Sequence, residues 1–428
     1  MKLETLHSYF LESAGICTDT RKIDKGCLFV ALRGDNFNGN KFTQQALDKG
    51  AFKVIIDDIS QHKNTGETIL CKNSLELLQK LATYHRQYLN IPIIALTGSN
   101  GKTTTKEIIN TVLSKKFKTT ATLGNLNNHI GVPLTLLSMT KETEIGIVEM
   151  GANHKKEIEA LCEIAQPNFG YITNFGKAHI EGFGSIEGVI KGKSELYKYI
   201  TKEKGTLFFN ADDPIQTELL GNYSSKIGFS QTKENFYKLK QVDANPYVAL
   251  QVDQTNITSN LIGAYNFTNI SAGVCIGDFF DIPLNDIKKA IEGYLPTNNR
   301  SQLITKGSTQ IILDAYNANP TSMLAALQHF NTIKAASKMV FLGDMFELGE
   351  TAQEEHQDIV EYLSNSNIDE VHLIGSYFSK TKFQAKNYHQ YKTFEQLEAT
   401  FKNAIPKDTI ILIKASRGMA LERVVSLL

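Results

Sequence analysis

The densest cluster of residues able to do chemistry is IIALTGSNGKTTTKEII, residues 93–109. A glycine-rich turn followed by Lys and Thr has the composition of a phosphate-binding loop. Glycines let backbone N–H groups approach phosphate oxygens, and a helix that starts there adds the positive end of its dipole. The usual spacing is Gly, four residues, then Gly-Lys-Ser/Thr. Here Leu96 stands where the first glycine belongs, and the glycines present are Gly98 and Gly101. The context still fits: Ile93–Thr97 is a continuous apolar run that predicts a buried strand, and helical spacing starts at about Lys102. Lys102 would then reach the β- and γ-phosphates of a nucleotide, and the Thr103 hydroxyl a Mg²⁺ ion. The competing reading is an ordinary Gly-rich turn before an amphipathic helix.

The elements that must position this loop follow from the rest of the pattern. Residues 1–88 mix short apolar runs (GCLFVAL, GAFKVIID) with turns and a helical stretch, SLELLQKLATYHRQYL. From Ile91 buried strands alternate with helices: IPIIALT, EIGIVEMG and FGYITNFG as strands, KTTTKEIINTVLSKKF, KKEIEALCEIA and NDIKKAIEGY as helices. That rhythm predicts a parallel sheet. LPTNN (295–299) reads as a linker. Beyond it TQIILDAY, KMVFLGDM, DEVHLIG and DTIILIKAS read as strands with helices between. We therefore expect three α/β domains, 1–88, 89–299 and 300–428.

Composition narrows the functional classes. Lys+Arg and Asp+Glu both total 45, so no global field attracts nucleic acid or an anionic membrane. No run of 18 apolar residues predicts a membrane span, and MKLETLHSYF lacks the apolar core of a secretory signal. Cys17, Cys27, Cys71, Cys162 and Cys275 are odd in number and unpatterned, which suits a reducing cytoplasm and argues against structural zinc.

TGSNGKTTT resembles the ATP loop of the Mur ligases and their folylpolyglutamate synthetase relatives, T-G-[ST]-N-G-K-T. The resemblance extends over about residues 15–425 and implies a fold: a small UDP-binding α/β domain, a central parallel-sheet ATPase domain and a C-terminal Rossmann-like domain. It implies that Gly98, Ser99, Asn100, Gly101, Lys102, Thr103 and Thr104 wrap ATP. Glu149 ends the run IGIVEMGANH, where a strand-end carboxylate beside a phosphate loop can hold Mg²⁺ or simply be solvated; the family has a glutamate here. Asn174, Gly176, Ala178 and His179 match N-x-G-x-A-H, whose His binds magnesium in the family. Beyond it, KGKSEL matches the place of a lysine carbamylated by CO₂; Lys193 fits best and Lys191 is the alternative. The implied catalytic set is Lys102, Glu149, His179 and Lys193, with two Mg²⁺ ions held by Thr103, Glu149, His179 and the Lys193 carbamate. Such an anionic shell suits a reaction in which ATP must meet a substrate carboxylate.

Other segments match in the same way. LIGAYNFTNISAG (261–273) is similar to the family's G-x-H-N-x-x-N, with Asn266 and Asn269 at the adenine and Tyr265 replacing the usual His; capping of a helix is the plainer role for the same residues. Arg300 and Asp314 stand where the family holds the nucleotide from its C-terminal domain. CTDTRKIDKGCLFVALRG resembles a UDP-binding segment, implying that Thr18, Asp19, Thr20 and Arg21 bind substrate; the family's D-G-H is Asn38-Gly39-Asn40 here. TLGNLNNHIGVPLTLL (122–137) implies that Asn127 and Asn128 face substrate.

The subtype rests on the C-terminal segments. LDAYNANPTSM (313–323) and LGDMFELGETAQEEH (342–356) resemble the member of the family that adds D-alanyl-D-alanine, and the D-N-P-R motif of the third-residue ligase is missing from the sequence. Tyr316, Asn317, Asn319, Ser416 and Arg417 are the implied substrate contacts there; KASRGM carries Ala415 where the family has Gly. The activity implied is ATP-dependent amide formation through an acyl phosphate, with UDP-N-acetylmuramoyl-tripeptide and D-alanyl-D-alanine as substrates. A cytoplasmic monomer with no nucleic-acid partner and no membrane insertion is expected. The runner-up is the third-residue ligase, and a decayed nucleotide-binding protein is the reading from another class.

Overall fold

Apolar runs bounded by turn residues become parallel strands, and segments with apolar residues at helical spacing cover them. The computed structural model describes residues 1–401 and 407–428. The chain opens with α1 (Leu3–Glu12) and four parallel strands, β1 (Ile16–Cys17), β2 (Leu28–Val30), β3 (Lys53–Ile56) and β4 (Thr68–Leu70), in that order across the sheet. α2 (Ser74–Leu89) then forms over the stretch read as helical. Its start is fixed by Asn73, whose side chain accepts from the N–H groups of Leu75 and Glu76, and its end by left-handed Asn90 at φ 50°. α2 is tied to α1 by a 2.9 Å hydrogen bond between His7 and His85. Buried Arg86 donates forward to Asn168 Oδ1 at 2.9 Å and to the Ala165 carbonyl at 3.2 Å. One apolar cluster consequently runs from Leu6 and Phe10 through Leu78 and Leu81 to Ile93 and Leu136.

The central part contains β5 (Ile93–Thr97), α3 (Lys102–Leu113), β6 (Thr119–Ala121), α4 (Gly131–Leu137), β7 (Ile145–Glu149), α5 (Glu157–Ala165) and β8 (Phe169–Ile172). α6 (Ile180–Phe183), α7 (Ile186–Lys193), α8 (Glu195–Lys202), β9 (Thr206–Asn210), β10 (Lys226–Ser230) and β11 (Tyr237–Lys238) follow. The strands pair in parallel in the order β11-β10-β9-β8-β5-β7-β6. β5 is flanked on one side by β7 and on the other by β8, so the chain builds β6 and β7 on one side of it and then crosses over to build β8 to β11 on the other. The crevice beyond its C-terminal end is the place where such sheets bind ligands. A three-stranded antiparallel sheet, β12 (Lys240–Asp243), β13 (Tyr247–Val252) and β14 (Thr255–Ile262), comes next; the sequence reading did not anticipate it. α9 (Asn266–Phe279), apolar all round, packs on α3, and α10 (Leu284–Gly293) completes the block.

The C-terminal part contains β15 (Gln302–Lys306), β16 (Thr309–Asp314), α11 (Pro320–Thr332), β17 (Ser337–Gly343), α12 (Ala352–Ser364), β18 (Glu370–Ile374), β19 (Tyr388–Tyr391) and β20 (Thr409–Lys414). The order is β15-β16-β20-β17-β18-β19, parallel except for the β15–β16 edge pair. The architecture is thus three-domain α/β, as expected. Among the described residues no helix is long and apolar enough to cross a membrane, and all five cysteines are free.

Candidate active site

The phosphate loop leaves β5 two residues later than the usual spacing demands, because Leu96 is fully buried within the strand and the first glycine is Gly98. Glycine is required at both remaining positions. Gly98 has φ +143°, and a Cβ there would lie 2.0 Å from Thr173 Oγ1; Gly101 has φ +80°, and its Cβ would meet Asn269 Oδ1 at 2.4 Å. The loop is stitched to distant segments. Ser99 Oγ donates to the Gly176 carbonyl and accepts from its N–H, both at 2.9 Å. The Asn100 N–H donates to Asn174 Oδ1 at 3.0 Å, and its carbonyl accepts from Thr173 Oγ1 at 2.5 Å. Asn100 Oδ1 accepts from Asn319 Nδ2, the N-cap of α11, at 2.8 Å. Lys102 begins α3 and donates to the carbonyls of Gly98 (2.7 Å) and Ser99 (3.2 Å). Burial lowers the pKa of its amine; the Glu149 charge works against that shift and Arg300 adds to it.

A cavity of about 880 Å³ opens between this loop and the C-terminal domain, lined by residues from Ser99 to Thr104 and by Glu149, His179, Arg300 and Asp314. Glu149 is 1% exposed at the end of β7. Its Oε1 accepts from Asn127 Nδ2 at 2.7 Å, and its Oε2 is buried with no hydrogen-bond partner among the described residues. An unpaired buried carboxylate oxygen is costly, and a divalent cation beside a phosphate loop is the group that fits it. Among the described residues no three His, Cys, Asp or Glu side chains gather into a ready-made metal cage. Magnesium, which keeps waters and shares substrate phosphates, requires none. His179 lines the same cavity, held at φ +54° at the start of α6, and its Nδ1 faces Glu347 Oε2 of the C-terminal domain. Lys193 is fully buried at the end of α7 and donates to the Ala152 carbonyl at 2.9 Å; burial, with the Lys102 charge acting the same way, holds its amine well below the usual lysine range. Lys191, two residues earlier, is exposed.

From the C-terminal side, the Arg300 guanidinium stacks 3.4 Å from the centre of the Tyr316 ring. Asp314 Oδ2 pairs with buried Lys414 at 2.6 Å. Tyr265, at the position where a His was expected, shares a 2.9 Å hydrogen bond with Ser301 Oγ. Asn269 accepts from Thr105 Oγ1 at 3.0 Å and donates to Asn266 Oδ1 at 2.8 Å, so this pair locks α9 to α3 at the cavity wall. Asn127, Asn128, Tyr316, Asn317 and Asn319 also line the cavity.

Other anticipated residues lie elsewhere. Thr18, Asp19, Thr20 and Arg21 sit beyond β1, outside this cavity; Asp19 grips Arg21 at 2.8 Å, which holds the Asp19 carboxyl below the usual carboxylate range. Asn40, in the altered D-G-H position, is buried and donates to Asp57 Oδ1 at 2.7 Å. Ser416 is buried, accepts from the Phe346 N–H at 2.9 Å and does not line the cavity, and Arg417 is exposed and pairs with Glu422. Ala415 packs against Gly343, where a Cβ would come within 2.7 Å of it. Lys414, Lys155 and Lys156 line the cavity but were not singled out from the sequence. For Lys414 there was a signal, a charge ending the otherwise apolar strand TIILIK.

A phosphate loop at a parallel-sheet switch point, closed over by a second α/β domain, defines the class. A model of the Mur ligase middle domain matches residues 96–277, and one described as the Mur ligase, glutamate ligase domain matches residues 299–417. The chain is 35% identical over 424 residues to the UDP-N-acetylmuramoyl-tripeptide–D-alanyl-D-alanine ligase of Bacillus subtilis, covering 96% of this chain and 92% of that protein. It is 33% identical to the Escherichia coli protein of the same name, with 96% and 92% covered. It belongs to the Mur ligase family. Among solved structures, MurF from Acinetobacter baumannii superposes with a TM-score of 0.85 at 28% identity, covering 99% of this chain and 98% of that one. The MurF ligase of Thermotoga maritima in complex with ADP gives 0.85 at 26%, with 97% of each covered.

Proposed function

We propose that this chain joins D-alanyl-D-alanine to UDP-N-acetylmuramoyl-tripeptide with ATP, giving the pentapeptide, ADP and phosphate in peptidoglycan precursor synthesis. A carboxylate oxygen of the tripeptide attacks the γ-phosphorus, the bond from that phosphorus to the β–γ bridging oxygen breaks, and ADP leaves. The amine of the dipeptide attacks the acyl carbon of the resulting acyl phosphate, phosphate departs, and the amine loses a proton. Barriers in such steps fall mainly through positioning and charge stabilisation. Lys102 and the loop N–H groups face the phosphates, Arg300 and the Asp314–Lys414 pair hold the nucleotide from the other domain, and Asn127 and Asn128 face the peptide arm. Glu149, His179 and Thr103 would hold magnesium, which would supply positive charge to offset the repulsion between ATP and the substrate carboxylate. A neutral Lys193 amine is the form that adds CO₂, losing a proton to give a carbamate whose oxygens suit magnesium. Thr18 to Arg21 hold the UDP group, and the enzyme works as a cytoplasmic monomer.

The observation that carries this reading is the unpartnered Glu149 oxygen beside a phosphate loop whose Asn100 is bonded to the opposing domain. A coupled ADP-release assay tests it. Turnover that requires both UDP-tripeptide and D-alanyl-D-alanine supports the proposal. Turnover with UDP-dipeptide and a free diamino acid instead makes the chain the third-residue ligase, and no turnover with either pair makes it a nucleotide-binding protein without catalysis.

A further inference from the structure

The segment GDMFELG has one polar side chain that its own domain does not absorb. The Asp344 carboxylate accepts from the N–H groups of Tyr377 and Phe378, both at 3.0 Å, and from Ser376 Oγ at 3.2 Å. His356 Nε2 accepts from the Met345 N–H at 2.9 Å. Both therefore fasten loops inside the C-terminal domain. Glu347 instead leaves that domain and meets the imidazole of His179. Among the described residues His179 Nδ1 is buried without a hydrogen bond of good geometry, and the Glu347 carboxylate stands against it as an ion-pair contact.

The backbone is arranged around this meeting. His179 has φ +54° and Glu347 φ +62°, conformations that residues with side chains seldom adopt and that persist only where the surroundings enforce them. The enforcing contacts are present. The Glu181 N–H donates to the Glu347 carbonyl at 3.2 Å, and the N–H groups of Gly182 and Phe183 both donate to the His179 carbonyl at 3.1 Å. Two residues before His179 the same central segment is pinned to the C-terminal domain. The Lys177 N–H donates to Thr321 Oγ1 at 3.0 Å, and Lys177 Nζ pairs with Glu355 at 2.7 Å.

A carboxylate that accepts from Nδ1–H fixes a neutral imidazole as the Nδ1–H tautomer and leaves Nε2 with a free lone pair for a ligand. We propose that Glu347 is a positioning residue that reaches across the domain seam to set the tautomer and direction of His179. The histidine is then competent only when the C-terminal domain is docked. This inference rests on the functional reading above for what His179 does, but not for how it is held. It gives the second domain a duty beyond carrying nucleotide contacts: domain docking completes the cation side of the site.

The test reads the proton on the ligand-free chain. In protein labelled with ¹⁵N-histidine, long-range ¹⁵N–¹H correlation reports each tautomer, and loss of one signal in His179→Gln assigns the residue. In the wild type His179 should be protonated at Nδ1. Glu347→Ala should move the proton to Nε2 or average the two. Glu347→Gln, whose side-chain carbonyl can still accept, should retain the wild-type pattern and guards against an unfolded alanine variant. Glu355→Ala breaks the neighbouring seam contact and should leave the tautomer unchanged. In steady state Glu347→Ala should lower kcat by about 10–100-fold with little change in KM for the UDP-substrate, whereas Glu355→Ala should stay within about twofold. An unchanged tautomer in Glu347→Ala, or an equal kcat loss in Glu355→Ala, overturns the proposal. Lack of any turnover in the wild type removes the functional reading while the tautomer result still decides this one.

Discussion

Two segments rich in short polar side chains, TGSNGKTTT (97–105) and CTDTRK (17–22), are held in opposite ways. In the first, hydrogen bonds run to residues far away in sequence: Thr173, Asn174, Gly176, Asn269 and Asn319. In the second they are mostly local. Asp19 holds the N–H and side chain of Arg21, Cys17 Sγ donates to the Asp19 carbonyl, and the Arg21 side chain remains 86% exposed. The phosphate loop is shaped by the whole fold before any ligand arrives. The N-terminal segment offers its groups to solvent and can rearrange around what binds. Changes in the first should therefore alter the chemical step, and changes in the second only binding.

The sharpest way to break this contrast is Lys102→Ala. Removing the charge proposed to face the phosphates should lower kcat by at least ~100-fold; near-normal turnover would sink the assignment of the loop. Lys193→Met should abolish turnover as well, and the same substitution should raise stability. Burial lowers the Lys193 pKa in the folded state, so the unfolded chain binds a proton that the folded chain refuses. Stability is then lost as pH falls from the unfolded value of about 10.4 towards the folded pKa, and stays low below it. In CO₂-free buffer near pH 7 the variant should melt higher than the wild type, with the gap closing as pH rises towards about 10.4. Formate should restore part of the activity of Lys193→Ala by refilling an oxyanion position, and a melting point unmoved by Lys193→Met would contradict the cost of burying this amine. The smallest effect belongs to the other segment. Arg21→Ala should raise KM for the UDP-substrate about tenfold through the loss of one charge-assisted hydrogen bond, with kcat and KM for ATP unchanged. A kcat loss there would erase the distinction between the two segments.

The same contrast explains what the sequence made legible. The strand Ile93–Thr97, the turn and the start of α3 at Lys102 follow from a local change of period and from glycine, so they could be read directly. Glu149 and His179 were found through motif spacing, and both line the cavity. The antiparallel strands β12 to β14 were missed although Tyr247–Val252 alternates buried and half-buried positions, because the α/β rhythm on both sides suggested more of the same. Ser416, expected at the substrate, instead supports the loop around Phe346 from a buried position. The bond from Asn100 to Asn319 and the approach of Glu347 to His179 join residues more than a hundred positions apart. No local period encodes such pairs; they exist only once two domains have docked.

The apolar cluster that runs from α1 through α2 into the central sheet has a consequence for how the molecule comes apart. Leu6, Leu28, Leu78, Ile93 and Leu136 share one core, whereas most of the buried apolar residues beyond residue 300 form clusters of their own. Heat or denaturant should therefore melt the first sheet and the central sheet as a single cooperative unit, while the C-terminal sheet can open alone. A fragment beginning at Ile91 would leave the faces of α4 and α5 that α2 covers bare to water and would be expected to aggregate. A fragment lacking only the C-terminal sheet would keep that core closed and lose the seam.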